Sequence, residues 1–155
     1  MLGIPSDAMW VWVGLLLGSA LMFGVIADLG AAPPDATRVA DSVEEVQAVE
    51  YSTKAVVPVE ATSMKLSTSR LALRGPGGTS HATFAGGDVI PARPETKLSD
   101  VLHGTPASSA FRSPTALQDA LWRSRFHESE WYHLGKTITI RRIRYGEVDS
   151  VLVGP

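Results

Sequence analysis

The pattern of apolar and polar positions changes character along this chain. Residues 8–27 carry no charged side chain, residues 37–51 have apolar positions at three- and four-residue intervals, and residues 55–91 break into short β-prone pieces. Further helical patterns and two strand-like runs follow. Because helices and strands segregate along the chain, the pattern predicts an α+β fold. We expect an N-terminal transmembrane helix, then one small domain with an antiparallel sheet and two or three helices.

The uncharged run is typical of a membrane helix. At about 1.5 Å per residue it spans roughly 30 Å, the thickness of a bilayer's hydrocarbon core. A core helix of a soluble domain would show a polar stripe, but here only Ser19 and some glycines interrupt the apolar residues. A signal peptide would begin with basic residues, and "MLGIPSD" has none. We therefore predict a retained single-pass anchor over residues 8–29, after a short tail of residues 1–7.

Two further features of this segment bear on its surroundings. Trp10 and Trp12 would lie at headgroup level, which makes the lipid bilayer an expected partner. Gly14 and Gly18 form a GxxxG step that would permit a weak homodimer through helix packing, although glycine is also common in membrane helices that do not dimerise. Few positive charges flank the helix, so the orientation stays open, with a preference for an extracytoplasmic domain at the cell membrane.

A proline-containing linker is expected at residues 30–36, followed by a soluble α+β domain over residues 37–155. The domain would begin with an amphipathic helix that has Thr37 as a candidate N-cap and one side formed by the valines at positions 39, 43, 46 and 49. Two arrangements are open: this helix packs against the domain, or it extends the anchor as a stalk. A short helix is predicted in "TKLSDVLHG", ending at Gly104. A longer one is predicted in "SPTALQDALWRSRFHESEW", with Ser113 as N-cap and an apolar side of Leu117, Leu121 and Phe126.

Short strands are predicted where Pro and Gly clusters separate β-prone pieces: "AVVPVEA", "SMKLS", "RLALRG", "SHATFAG" and "DVIPA". In "RLALR", Leu71 and Leu73 share one face and Arg70, Ala72 and Arg74 share the other, as in a strand with one covered side. The sequence therefore predicts that the two leucines are buried.

The C-terminal runs "KTITIRRIRY" and "VDSVLVG" predict a hairpin that turns at Gly146. Ile138 and Ile140 share one face, but Ile143 is an odd number of residues away. A β-bulge near Arg141 and Arg142 would restore a single apolar side, and we expect one there.

Composition narrows the function classes. The formal net charge is −2 and there is no cysteine. Overall charge therefore gives no indication of a nucleic-acid partner, and disulfides, thiolate metal sites and cysteine nucleophiles are excluded. The four histidines lie in separate segments without metal-ligand spacing, and no nucleophile motif surrounds Ser80 or Ser109. We predict no catalytic residue, no metal and no cofactor.

The loop "RGPGGTSHATFAGG" is the first candidate contact site. Glycine backbone N–H groups can cradle an anion, and Arg70, Arg74 and His81 lie in or beside the loop. The alternative, which we favour, is a hairpin turn, since the loop lacks the GK[ST] ending of a phosphate-binding loop.

The C-terminal hairpin is the second candidate contact site, because Lys136, Arg141, Arg142 and Arg144 make it basic. Arg142 and Arg144 on one face could hold anionic headgroups or an acidic partner surface. The alternative is that they form the solvated face or guarded edge of a strand.

Four stretches together resemble a family of uncharacterised haloarchaeal single-pass membrane proteins: "DAMWVWVGLLLGSALMFGV", "AAPPDA", "RLALRGPGGTSHATFAGGDVIPA" and "LSDVLHGTPASSAF". The likeness runs through most of the chain. It implies a genomic setting beside pilin-like proteins and the ATPase and membrane-platform components of archaeal type IV pilus or related secretion systems. It implies no activity and carries no catalytic residues.

Two hypotheses follow. The first is a membrane-anchored, non-enzymatic interaction or accessory subunit with membrane or appendage protein partners. The second is a membrane-tethered domain that binds a small anion or envelope ligand through the glycine-rich loop and the nearby Arg70, Arg74 and His81. An enzyme is disfavoured, because no acid–base or nucleophile constellation is visible in the sequence.

Overall fold

A computed structural model describes residues 30–155, which form two four-stranded sheets and four helices. The helices are α1 (Ala36–Ala48), α2 (Lys97–His103), α3 (Ala107–Ala110) and α4 (Pro114–Arg125). The strands are β1 (Lys54–Pro58), β2 (Ser63–Leu66), β3 (Arg70–Gly75), β4 (Gly78–Thr83), β5 (Ile90–Pro91), β6 (Trp131–His133), β7 (Thr137–Tyr145) and β8 (Val148–Gly154).

The predicted fold class was wrong, although the domain is α+β. There are two sheets where one was expected, and four helices where two or three were expected. Across residues 30–155, none of the helices has the length and apolar character needed to cross a bilayer. The transmembrane helix predicted over residues 8–29, with Gly14 and Gly18, lies outside the described residues.

Strands distant in sequence pair in both sheets. The first sheet has the order β1-β7-β8-β5, antiparallel except for β5, which runs parallel to β8. The second sheet has the order β4-β3-β2-β6 and is antiparallel throughout. The predicted C-terminal hairpin of β7 and β8 is confirmed. The division into two sheets follows from the pairing of β1 with β7 and of β2 with β6, which no local pattern specifies.

Strand β7 is covered on both faces. This explains why Ile143 lies on the face opposite to Ile138 and Ile140. Ile138 and Ile140 belong to the core that includes α1, whereas Ile143 belongs to the core formed with α2 and α4. The predicted bulge near Arg141 and Arg142 is wrong, because β7 pairs with β8 without interruption. Burial on both sides removes the need for a single apolar face.

Helix α1 contributes to the larger core, which it shares with one face of each sheet. Val39 and Val43 are fully buried, so this helix packs against the domain. The N-cap is Asp35 rather than the predicted Thr37, and its carboxylate accepts a hydrogen bond from the Arg38 N–H at 3.0 Å. That contact satisfies one of the N–H groups that the first helical turn leaves without a partner.

The remaining helices cover the opposite face of the first sheet and form the second core. The predicted end of α2 at Gly104 is confirmed, and so is the Ser113 cap of α4, whose hydroxyl accepts from the Ala116 N–H at 3.2 Å. Phe126 was wrongly predicted to be apolar packing: it is 65% exposed. It lies past the end of α4, and five residues place it about 140° around the helix from Leu121.

Truncation of a buried leucine in the second sheet tests how much the larger core contributes to the free energy of unfolding. Leu73→Ala should lower the free energy of unfolding by about 2 to 5 kcal/mol, because Leu73 is fully buried against α1 and both sheets. Val56→Ala is the control, because Val56 is 52% exposed and its truncation should cost about 0.5 kcal/mol or less. Urea unfolding monitored by circular dichroism measures both; equal costs would contradict this packing.

Candidate functional site

The outer face of the second sheet is the most distinctive surface of the domain. Side chains alternate between faces along a strand, so the inward Leu71 and Leu73 leave Arg70, Ala72 and Arg74 outward. The burial pattern confirms the alternation predicted for this strand. The same alternation exposes one set of residues on all four strands, which we call the basic sheet face: Lys65, Arg70, Arg74, His81, Trp131 and His133.

The strand register aligns these residues. Lys65 pairs with Ala72 on one side and with Trp131 on the other, and Ala72 pairs in turn with His81. A row across four strands spans about 14 Å at the usual strand spacing. No Asp or Glu occurs within these four strands. The three formal cations, Lys65, Arg70 and Arg74, therefore lie on the two central strands, with no carboxylate in the strands around them.

A cleft of about 580 Å³ lies on this face. Its lining includes Lys65, Arg70, His81 and Trp131, with Ala72 between them. Ala72 is 8% exposed although it belongs to the outer face, because the longer side chains around it rise above its methyl group. A small residue among large ones produces the concave shape.

Arg74 and Trp131 form one contact on the face. The Arg74 guanidinium carbon lies 4.1 Å from the centroid of the Trp131 ring. Such a cation–π pair contributes about 0.5 to 1 kcal/mol at an exposed site. Arg74 reaches across β2 to make it, since Trp131 is on β6.

The glycine-rich loop forms a hairpin turn, as we favoured. Strands β3 and β4 pair up to Gly75 and Gly78, and the turn lies between those two residues. Gly78 has φ of +120°, a conformation that other residues rarely adopt. His81 lies inside β4, on the outer face, whereas the neighbouring Ser80 is directed to the other side. Arg70, Arg74 and His81 are therefore brought together by the sheet rather than by the loop.

Arg142 and Arg144, the other predicted contact residues, have structural partners. Arg142 Nε and Nη2 each donate to Asp149 at 2.9 Å, and Arg144 Nη2 donates to the same carboxylate at 2.8 Å. Arg142 also donates to the carbonyls of Gln47 and Val49 at the end of α1, and Arg144 to that of Glu50. The two arginines thus satisfy carbonyls at and beyond the C-terminus of α1.

This network changes the acidity of Asp149. The hydrogen bond from Arg142 is the largest cause that holds its pKa down, from 3.8 to about 2, and Arg144 acts in the same direction. β7 is a central strand, so the alternative of a guarded sheet edge does not describe these residues. They tie the hairpin to α1.

Sequence reasoning missed Lys65 and Trp131. Trp131 was placed in the long helix, but that helix ends at Arg125 and Trp131 begins β6. The alternation in "SMKLS" puts Lys65 on the side opposite Met64 and Leu66, which was an available signal. Nothing local indicated that β6 would pair with β2. Within residues 30–155, no group of three or more His, Asp or Glu side chains could hold a metal ion.

The Asp149 network predicts a pH dependence. Because the folded-state pKa of Asp149 is lowered, its stabilising effect is present above the unfolded value near 3.8 and is lost as pH falls toward about 2. Asp149→Asn should reduce the free energy of unfolding at pH 7 by about 1 to 2 kcal/mol, after allowance for solvent screening. It should also flatten the decline in stability between pH 5 and pH 2, measured by urea unfolding at several pH values.

Asp88→Asn is the control for this prediction. Asp88 forms an exposed ion pair with Arg125 at 3.5 Å, so its loss should cost about 0.5 kcal/mol or less. An acid-induced loss of stability that stays unchanged in Asp149→Asn would contradict the assignment.

No curated protein matches this chain, and no solved structure matches it. One family model does match, described as a family of unknown function (DUF7283), and the match covers residues 3–143. It extends from near the N-terminus through the basic sheet face and most of β7. With most of its length matched, the chain belongs to this family of unknown function, DUF7283.

Proposed function

We propose that this protein is a membrane-associated, non-enzymatic interaction or accessory subunit, and that the basic sheet face binds an acidic surface of a protein partner. One observation supports this most directly. Lys65, Arg70 and Arg74 are exposed on the same face of the second sheet as Trp131, although the whole chain has a net charge of −2. The positive charge is a local feature of this surface.

The cations of this face have no acidic partners within the domain. The ion pairs found across residues 30–155 involve Arg125, Arg142 and Arg144. Lys65, Arg70 and Arg74 belong to none of them. Unpaired cations can steer an acidic partner into place and can form ion pairs with it.

The aromatic residue adds a contact that charge alone would not provide. Trp131 is 36% exposed, next to Arg74. Tryptophan and arginine are the residues that most often dominate the binding energy of protein interfaces. Because the side chains stand on a hydrogen-bonded sheet, less conformational freedom is lost on binding than for a mobile loop.

A small anion or envelope ligand in the cleft is the second candidate. The observation that favours it is the concave site beside Lys65, Arg70 and His81. An extended acidic partner fits better, because the cations are distributed over the sheet rather than converging on one point. Competition by inorganic phosphate separates the two candidates.

The cellular setting rests on the sequence. The uncharged residues 8–27 support a location at the cell membrane. The resemblance to haloarchaeal membrane proteins encoded beside pilus and secretion components supports a partner from such an assembly. The partner's acidic surface would match the charge of the basic sheet face.

Charge reversal tests the proposed surface. Full-length protein in a non-ionic detergent would be titrated into a fluorescent polyglutamate peptide, which represents an acidic protein segment. Lys65→Glu/Arg70→Glu should weaken binding by about tenfold or more, since both attractive charges become repulsive. Binding by the wild type should also weaken as ionic strength rises. Both residues are exposed, so stability should change little.

Arg38→Glu/Arg112→Glu is the matched control, with the same change in net charge at two exposed positions away from this face. It should alter binding less than about twofold, because surface charges separated by more than a Debye length are screened. Equal losses in the two double variants would mean unspecific attraction and would overturn the proposal. Displacement of the peptide by phosphate, at constant ionic strength, would favour the small-anion candidate instead.

Membrane association is tested separately. Full-length protein should stay with the membrane fraction after carbonate extraction, and a variant that begins at Ala32 should not. Recovery of the full-length protein in the supernatant would contradict the proposed location, without bearing on the peptide-binding result.

A further inference from the structure

A second cleft, of about 450 Å³, lies between α2 and α4. Its walls come from the connection after β5, from the start of α2, and from one side of α4. None of the residues of the basic sheet face lines it. Its chemistry is therefore independent of the proposed protein-binding surface.

The floor of this second cleft is apolar. Leu98 and Phe111 line it with almost no exposed surface, and both belong to the second hydrophobic core. Ala116 and Ala120 lie one turn apart on the side of α4 that faces the cleft. Two small side chains at these positions leave room where larger ones would fill the space.

Three cations from different segments line the same cleft: Arg93, Lys97 and Arg123. No Asp or Glu is among the lining residues, and no ion pair within residues 30–155 includes any of these three cations. The Lys97 ammonium lies 5.9 Å from the centroid of the Phe111 ring. Positive charge is thus placed beside an apolar floor.

Arg93 gives a second, independent indication of a ligand. Its Nε is buried and has no hydrogen-bond partner in the protein. Buried donors normally have an acceptor, and a charged one is costly to leave without it. The rest of the Arg93 side chain also acts on Tyr132: burial raises the pKa of that phenol, and the charge of Arg93 and a hydrogen bond with its side chain oppose the rise.

The backbone between Arg93 and Lys97 is unusual. Glu95 has φ of +61°, and among residues 30–155 no other non-glycine residue has a positive φ. Such a conformation persists where the surrounding structure imposes it, and it is enriched at binding sites. Here it lies in the segment that brings Arg93 and Lys97 to the same cleft.

We propose that this cleft binds a small organic anion that combines an apolar body with one carboxylate or phosphate group. The apolar body would pack on Phe111, Ala116 and Ala120. The anionic group would accept hydrogen bonds from Arg93 and Arg123, with Lys97 adding charge. A concave apolar site with a few directed polar groups is the usual form of a small-ligand pocket.

Ligand-observed fluorine NMR tests this site with 4-fluorophenyl phosphate as the probe. Full-length protein in a non-ionic detergent should broaden the probe's signal beyond a detergent-only blank, with a dissociation constant of about 1 mM or tighter. Arg123→Gln should weaken binding by about tenfold, since it removes a charged donor. Ala120→Leu should weaken it similarly by filling the floor while leaving all three charges.

Arg112→Gln is the matched control, because Arg112 is exposed, lies next to Phe111 and does not line the cleft. It should leave the affinity within about twofold of the wild type, because an exposed charge is screened by solvent. Arg123 is also exposed, so its replacement should preserve folding, which thermal unfolding of each variant verifies.

Three results would overturn the proposal. They are absence of probe binding to the wild type, equal binding of 4-fluorobenzyl alcohol, and binding that Ala120→Leu leaves unchanged. The second would remove the requirement for an anion, and the third would remove the requirement for the apolar floor. None of the three depends on the polyglutamate experiment, so the two sites are tested separately.

Discussion

Burial of strand β7 on both faces is the constraint on which the rest of the domain depends. Ile138 and Ile140 belong to the core shared by α1 and the second sheet, while Ile143 belongs to the core shared by α2 and α4. β7 also lies inside its sheet, where it pairs with β1 on one side and β8 on the other. This arrangement leaves the second sheet as an outer layer, with one face on the core and one in solvent.

The arginines of β7 and those of the second sheet differ in whether they have partners within the domain. Arg142 and Arg144 follow Ile140 on the face of β7 that is directed toward α1. They donate hydrogen bonds to Asp149 and to carbonyls at and just beyond the C-terminal end of α1. Their charge is used within the fold. The cations of the second sheet have no such partners in the described domain, so their charge is available to another molecule. Position in the fold, rather than residue type, separates structural from candidate binding arginines.

Local features of the sequence predicted much of the secondary structure. The features that were not predicted depend on pairing between strands that are distant in the sequence. The alternation of Leu71 and Leu73 with arginines, and the Ser113 cap, are local and were read correctly. The division into two sheets and the strand at Trp131 depend on pairings that no short segment specifies. For the candidate site, Arg70, Arg74 and His81 were identified from the sequence. The sheet, rather than the glycine-rich loop, brings these three residues together. Lys65 and Trp131 join them only through the register of β2 with its neighbours.

The proposed role of the basic sheet face can be tested most directly by photo-crosslinking in membranes of the native organism. A photoreactive residue would replace Thr83, which is exposed beside Arg70 on this face. The control position is Val56, exposed on β1 of the other sheet. We expect a discrete crosslink from position 83 to a protein with an acidic surface, lost in Lys65→Glu/Arg70→Glu and absent from position 56. Equal crosslinking from both positions, or a position-83 crosslink that survives the double charge reversal, would contradict it.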